Sequence, residues 1–153
     1  MEPSPFERHT SYQIITTAKA LGHVFEQRLH RLGVNKSQAH VLLALASREA
    51  GAMACDLVDC VHVEPATMTR LLQGLEHQGL VRRSPHPKDG RASLVHLTDR
   101  GRELEATVRE LTSQLDRELV AGLSPADLGE FRRVLAALRA RAEQHVWQPA
   151  LTT

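Results

Sequence analysis

The sequence predicts a mainly α-helical fold carrying a small β-hairpin, and three observations lead there. Apolar residues recur at steps of three and four in six separate segments, the spacing of a helix buried along one face. Glycines, prolines and capping side chains fall between those segments. A single stretch, residues 80–97, instead reads as two extended runs around a turn. Composition agrees. The 153 residues are 42% hydrophobic, enough for one ordinary core and a single domain spanning 1–153. Leu, Ala, Arg and Glu are abundant, a helix-favouring set. Aromatic residues are only 3%, which argues against a stacking platform for single-stranded nucleic acid and against an aromatic-rich sheet core.

The first helix runs from Tyr12 to Leu32, with Ile14, Ala18, Leu21, Phe25, Leu29 and Leu32 as its stripe and Gly33 as its stop. Asn35 is placed to cap the second, which reaches Arg48 and carries Val41, Leu42, Leu45 and Ala46 before Gly51 breaks it. A short third helix, about Cys55 to Val61, contributes Leu57, Val58 and Val61, and His62 and Val63 make the turn out of it. Pro65 then stands at a first helical position, where no N–H is needed. The segment that follows, to Gln78, puts Met68, Leu71, Leu72 and Leu75 inward, leaving Thr67, Thr69, Arg70 and Gln73 off the buried stripe.

Gly79 ends that helix. Leu80 to Arg83 reads extended, Pro85 to Gly90 as a turn-rich charged loop, and Ala92 to Leu97 as the return strand. Thr98 or Asp99 caps a long helix with Leu104, Val108, Leu111, Leu115 and Leu119, closed by Gly122. Ser124 caps the last, with Pro125 at its first position and Leu128, Phe131, Leu135, Leu138 and Ala142 as its stripe. The tail after Trp147 is expected to fray.

Three short helices followed by a hairpin, bracketed by long amphipathic helices, form the layout of a winged helix-turn-helix domain flanked by dimerisation helices. The boundaries are 34–98 for the winged core, with the recognition helix at 65–78 and the wing at 80–97, and 10–32 and 99–147 for the flanking helices. Charge supports this layout. The formal net charge is +1, but Gly79 to Arg102 holds six cations (Arg82, Arg83, Lys88, Arg91, Arg100, Arg102) and two anions (Asp89, Asp99). That segment therefore carries +4 and the rest of the chain −3, and local positive charge is what phosphate contacts require.

Other classes of function find less support. No stretch approaches the roughly 20 apolar residues of a membrane span, and the N-terminus is polar and proline-punctuated rather than a signal peptide, so a soluble cytoplasmic protein without a membrane partner is expected. Cys55 and Cys60 are five apart, matching neither CxxC spacing nor a disulfide framework, and are expected as reduced, partly buried thiols. No GxSxG, P-loop, GxGxxG or paired-carboxylate motif appears, so no enzyme and no cofactor is predicted.

The run from Leu57 through Gly101 resembles the MarR family of bacterial transcriptional regulators. The resemblance is carried by LVDCVHVEPATMTRLL, LEHQGLVRR and DGRASLVHLTDRG, most specifically by Asp89-Gly90-Arg91-Ala92 followed by Leu97-Thr98 and Gly101. Gln38 and Gly79-Leu80-Val81 fit as well. The resemblance implies a homodimer formed by the first and last helices of both subunits, binding a pseudo-palindromic duplex operator, usually as a repressor. It also implies release by a small molecule, often aromatic and anionic, held between the dimer frame and the winged domain.

Physical roles follow for individual residues. With the helix starting at Pro65 in the major groove, Arg70 has the fork geometry for guanine, and Thr67, Thr69 and Gln73 can reach bases or phosphates. Arg91 suits a narrow minor groove, with Asp89 placed to orient it. Lys88 and Arg82 suit phosphates, as does Ser37 at the start of the second helix. Arg83 suits a phosphate or a structural ion pair. For an effector, an aromatic or heteroaromatic carboxylate or a phenol, the candidate groups are Tyr12, His23, His30 and His40. A metal- or thiol-responsive sensor of the same fold is the alternative, although the nine histidines form no HxxxH or HxxEH pattern.

Overall fold

The computed structural model describes residues 5–144, so the expectation for the tail after Trp147 lies outside the described residues. The described chain forms two compact units, one ending at Leu115 and one beginning at Asp116.

The first unit opens with a 3-10 turn, Phe6–Arg8, and continues through α1 (Thr10–His30), α2 (Lys36–Ala46), α3 (Ala54–Val61) and α4 (Pro65–His77). Strands β1 (Val81–His86) and β2 (Asp89–Leu97) follow, and then most of α5 (Asp99–Leu119). Capping sets the boundaries. Asn35 and Gln38 form a complete capping box at the head of α2: the Asn35 side chain accepts from the Gln38 amide at 2.9 Å, and the Gln38 side chain accepts from the Asn35 amide at 3.0 Å. Pro65 occupies the first turn of α4. α3 ends on His62, which takes left-handed geometry (φ 55°, ψ 51°) and turns the chain into α4.

The core is built from Phe25 and Leu29 of α1, Val41, Leu42 and Leu45 of α2, Leu57 and Val61 of α3, Met68, Leu72 and Leu75 of α4, Val81 and Val95 of the hairpin, and Val108 of α5. Burying such side chains contributes roughly 1.5 to 3 kcal/mol each. The expected stripe on the first helix is covered only at its C-terminal end. Ile14 is 39% exposed and Ala18 is also open to solvent.

Several expectations need correction. The helix expected to reach Leu32 stops at His30, and Leu32 packs against the core from the turn that Gly33 closes at φ 74°. Ala46 is exposed, whereas Ala39 is fully buried, because the buried face of α2 runs through 38, 39, 41, 42 and 45. Both cysteines are exposed rather than partly buried. They lie off the α3 face that presents Leu57, Val58 and Val61 to the core.

The hairpin is longer than the sequence suggests. β1 extends through Pro85 to His86 and β2 begins at Asp89, so the expected loop 85–90 shrinks to the turn at Pro87 and Lys88. Antiparallel pairing runs from Val81↔Leu97 to Pro85↔Ser93 and then slips, with His86 opposite Asp89. In a two-stranded sheet both strands are edges, where a proline within a strand is tolerated. A third segment joins through Ala52, whose amide and carbonyl both bond to Val95, at 3.1 and 2.8 Å.

The hairpin is held at its base by Thr98. Its hydroxyl donates toward the carbonyls of Gly79 (2.7 Å) and Leu80 (3.2 Å) and accepts from the Gly101 amide at 3.0 Å, capping α5.

The second unit holds the end of α5 and α6 (Pro125–Gln144). Ser124 caps α6, accepting from the Asp127 amide at 3.1 Å and donating to its carboxylate at 2.7 Å. No α6 residue is buried, and Phe131, Val134 and Leu135 are 53%, 39% and 39% exposed.

Candidate nucleic-acid interface

The amphipathic pattern of α4 settles which side chains it offers. Met68, Leu72 and Leu75 point into the core, so Thr67, Thr69, Arg70 and Gln73 are exposed. The Thr69 hydroxyl is engaged within the helix, donating to the Pro65 carbonyl at 3.1 Å, which leaves its oxygen lone pairs as acceptors.

The hairpin is fastened to this helix by Arg83, whose Nε lies 3.3 Å from Glu76 Oε2. Of the two roles open to Arg83, the structure shows the ion pair. Arg82, its neighbour on the opposite side of the strand, has no ion-pair partner among the described residues and remains exposed. At the far end, Lys88 sits in the turn, with its amide donating to His86 Nδ1 at 3.2 Å. Asp89 Oδ1 accepts from the Arg91 amide at 2.9 Å. Asp89 therefore orients Arg91 through the main chain, and the guanidinium is exposed.

Ser37 and Thr67 share a cleft of about 790 Å³ where the heads of α2 and α4 meet. His40 lines the same cleft together with Lys36, His62 and Leu71. Burial, followed by the nearby charges of Lys36 and His62, pushes the His40 imidazole below its ordinary value of 6.5. The other effector candidates are not among the residues that line this cleft. Tyr12 stacks edge-on against Phe6, with ring centroids 4.9 Å apart. His23 is exposed and accepts from Gln27 Nε2 at 2.9 Å, and His30 is exposed.

Sequence reasoning missed Lys36, His62 and the Ala52 bridge. Their roles come from elements that meet only in the folded chain, and no periodic pattern marks them.

A core of short helices with one helix face left polar, flanked by a basic hairpin pinned to that helix, defines a winged helix-turn-helix protein of the kind that reads duplex DNA. Residues 34–93 match the MarR family model. Over 140 residues the chain is 31% identical to YdgJ of Bacillus subtilis (strain 168), an uncharacterized HTH-type transcriptional regulator, covering 92% of this chain and 80% of that protein. It is also 31% identical over 98 residues to the HTH-type transcriptional repressor Rv2887 of Mycobacterium tuberculosis, covering 64% and 70% of the two chains. Among solved structures, MepR of S. aureus in complex with DNA superposes with a TM-score of 0.81 at 21% identity, over 87% of this chain and 98% of MepR. The chain belongs to the MarR family of transcriptional regulators, which are not enzymes.

No helix of the described residues is long and apolar enough to cross a membrane.

Proposed function

We propose that two copies of this chain form a repressor that binds a pseudo-palindromic operator in the cytoplasm. Each copy places α4 in a major groove and Arg91 of the hairpin in the adjacent minor groove. The observation that carries this reading is the exposed Thr67, Thr69, Arg70 and Gln73 face of α4 beside a hairpin fixed to the same helix by the Arg83–Glu76 pair. Arg70 supplies a bidentate donor for guanine, and Lys88, Arg82 and Ser37 serve phosphates. The repressor name of Rv2887 and the DNA bound to MepR are in keeping with it. The long flanking helices α1, α5 and α6 serve as the dimer frame.

The test is fluorescence anisotropy on a duplex from the region upstream of its own gene, at fixed salt. Arg70→Ala is expected to flatten the preference between that duplex and a random one, by roughly the 1 to 3 kcal/mol of a good base contact. Arg91→Ala is expected to weaken binding with the oligomeric state intact. Equal losses on both duplexes for Arg70→Ala, together with unchanged affinity for Arg91→Ala, would remove both side chains from the DNA site.

The effector belongs to the class of aromatic or heteroaromatic carboxylates and phenols, with His40 as its contact in the α2–α4 cleft and Tyr12 and His23 as further candidates. The cleft offers a cation, Lys36, beside apolar Val61, Val63 and Leu71, a pairing suited to such an acid. Calorimetry with benzoate-type acids should give heats that His40→Ala abolishes; full heats in that variant would exclude it. A thiol-responsive reading has one observation behind it: Cys60 is exposed and accepts from Arg48 Nη2 at 3.1 Å. Among the described residues no three His, Cys, Asp or Glu side chains are grouped to hold a metal.

A further inference from the structure

A recess of about 280 Å³ opens between the C-terminal end of α2, the two strands and the first half of α5. Its lining is strongly cationic. Arg48 comes from the α2 end, Arg82 from β1, His96 from β2, and Arg102 and Arg109 from two successive stretches of α5. Glu49 and Glu105 line it too, leaving an excess of two positive charges with His96 neutral. The acidic groups are partly spoken for: Glu105 is buried and pairs with Arg109 Nε at 3.3 Å. Arg102 makes only a long, exposed contact with Asp99, 3.7 Å.

We propose that this recess is a binding site for a small oxyanion, a phosphate or a phosphate monoester, held by Arg82 and Arg102 with the His96 imidazole between them.

The first argument is convergence. Of the four guanidinium groups in the lining, Arg48 donates to the Ala44 carbonyl at 2.6 Å and to Cys60 Sγ at 3.1 Å, and Arg109 pairs with Glu105. That leaves Arg82 and Arg102, brought together from two elements, as the pair whose repulsion a bound anion relieves. The second comes from His96 itself. Its Nε2 is 2.8 Å from the Ser84 hydroxyl, and its ring lies against the Gly51 backbone so closely that a Cβ there would fall 2.5 Å from the ring carbon Cε1. The ring is therefore fixed in the recess. Arg82 stands directly opposite His96 in the strand pairing and Arg102 lines the same recess; burial, and then the charges of these two arginines, push the imidazole below 6.5. A bound anion reverses that influence. The third argument is size, since the recess lies at the small end of ligand pockets and suits a compact anion.

A phosphate group can come from solution or from a DNA backbone. No residue of α4 lines the recess, so it is set apart from the base-reading face, and the source proposed is a free small molecule. Arg82 serves both this site and the DNA path, so on the reading given under Proposed function an occupant draws it away from DNA and weakens operator binding.

The experiment follows the imidazole resonances of the full-length, 15N-labelled protein during titration with inorganic phosphate and with pyrophosphate, against chloride at equal ionic strength. A saturable shift of the His96 signal toward the imidazolium position, abolished in Arg102→Gln, is the expected result. No saturable shift, or the same shift in Arg102→Gln, overturns the site. Circular dichroism melting checks that Arg102→Gln is folded, and Arg102→Lys, which keeps the charge, should restore part of the response. Duplex binding separates the two sources. Arg102→Gln is expected to keep its duplex affinity without phosphate and to lose the weakening that phosphate causes. If Arg102→Gln instead lowers duplex affinity severalfold without phosphate, and duplex alone moves the His96 signal, a DNA phosphate is the occupant and the small-molecule assignment fails. The NMR arm reads occupancy without DNA, so failure of the repressor reading leaves it interpretable.

Discussion

Gly101 sits in the first turn of α5, where a Cβ would come within 2.0 Å of the Leu80 carbonyl oxygen and 3.0 Å of its carbon. Both are backbone atoms, so no rotamer change relieves the clash. The same junction holds the three hydrogen bonds of Thr98, which lock the hairpin exit to the end of α4. The Leu97-Thr98 and Gly101 motif thus has a physical meaning that the sequence alone shows only as a resemblance. Thr98 closes the base of the hairpin, and Gly101 lets the helix press against it. Gly101→Ala is expected to destabilise the protein by about 3 kcal/mol, the upper range for overpacking, and to lower its thermal midpoint. An unchanged midpoint in calorimetry would mean that the junction relaxes freely. The candidate effector side chains were less legible at this scale. His40, His23 and Tyr12 share no line of sequence spacing, and of the three His40 alone lines the α2–α4 cleft.

At the scale of elements, helix limits were readable to within about two residues because their punctuation is local: Asn35, Pro65, Thr98 and Ser124 at the starts, Gly33, Gly79 and Gly122 after the ends. Asn35→Ala removes the acceptor of a complete capping box, and the expected cost is about 1 kcal/mol. A lower urea midpoint with unchanged slope would show it; an unchanged midpoint would count against the box as a stabilising device. What the sequence concealed was pairing between elements. The Ala52 bridge to Val95 leaves no periodic trace, and Pro85 reads as a loop residue although an edge strand accommodates it. The α4 reading face was legible because it is the complement of an apolar stripe. The arginine-lined recess was not, because Arg48, Arg82 and Arg102 are far apart in sequence and meet only through the fold.

For the whole molecule, acidity acts through the two histidines held below their ordinary value. His40 and His96 favour the neutral form when folded, so the unfolded chain binds more protons as pH falls below 6.5. Their contribution to stability is present above 6.5 and lost as pH drops toward the folded values. Denaturant midpoints measured from pH 8 to 5 should decline, and His40→Gln should decline less. An equal slope in that variant would assign the loss to other groups.

Charge and apolar surface are segregated along the chain, and both bear on assembly. The hairpin segment carries the positive excess, whereas the N-terminal half of α1 exposes Ile14 and Ile15 at 39% and 53% and α6 exposes Phe131, Val134 and Leu135. Large apolar side chains left open on a long helix such as α6 mark a surface fit to be covered, and in the proposed repressor a second copy of the chain covers it. Phe131→Asp places a charge in that surface. Sedimentation should then give the monomer mass, with circular dichroism showing that the helices remain. Operator affinity should fall by about 100-fold or more, because a second α4 no longer binds at the effective concentration that tethering supplies. A variant that sediments as a dimer would place the interface away from Phe131. A monomer that binds its operator with full affinity would show that a single winged domain suffices.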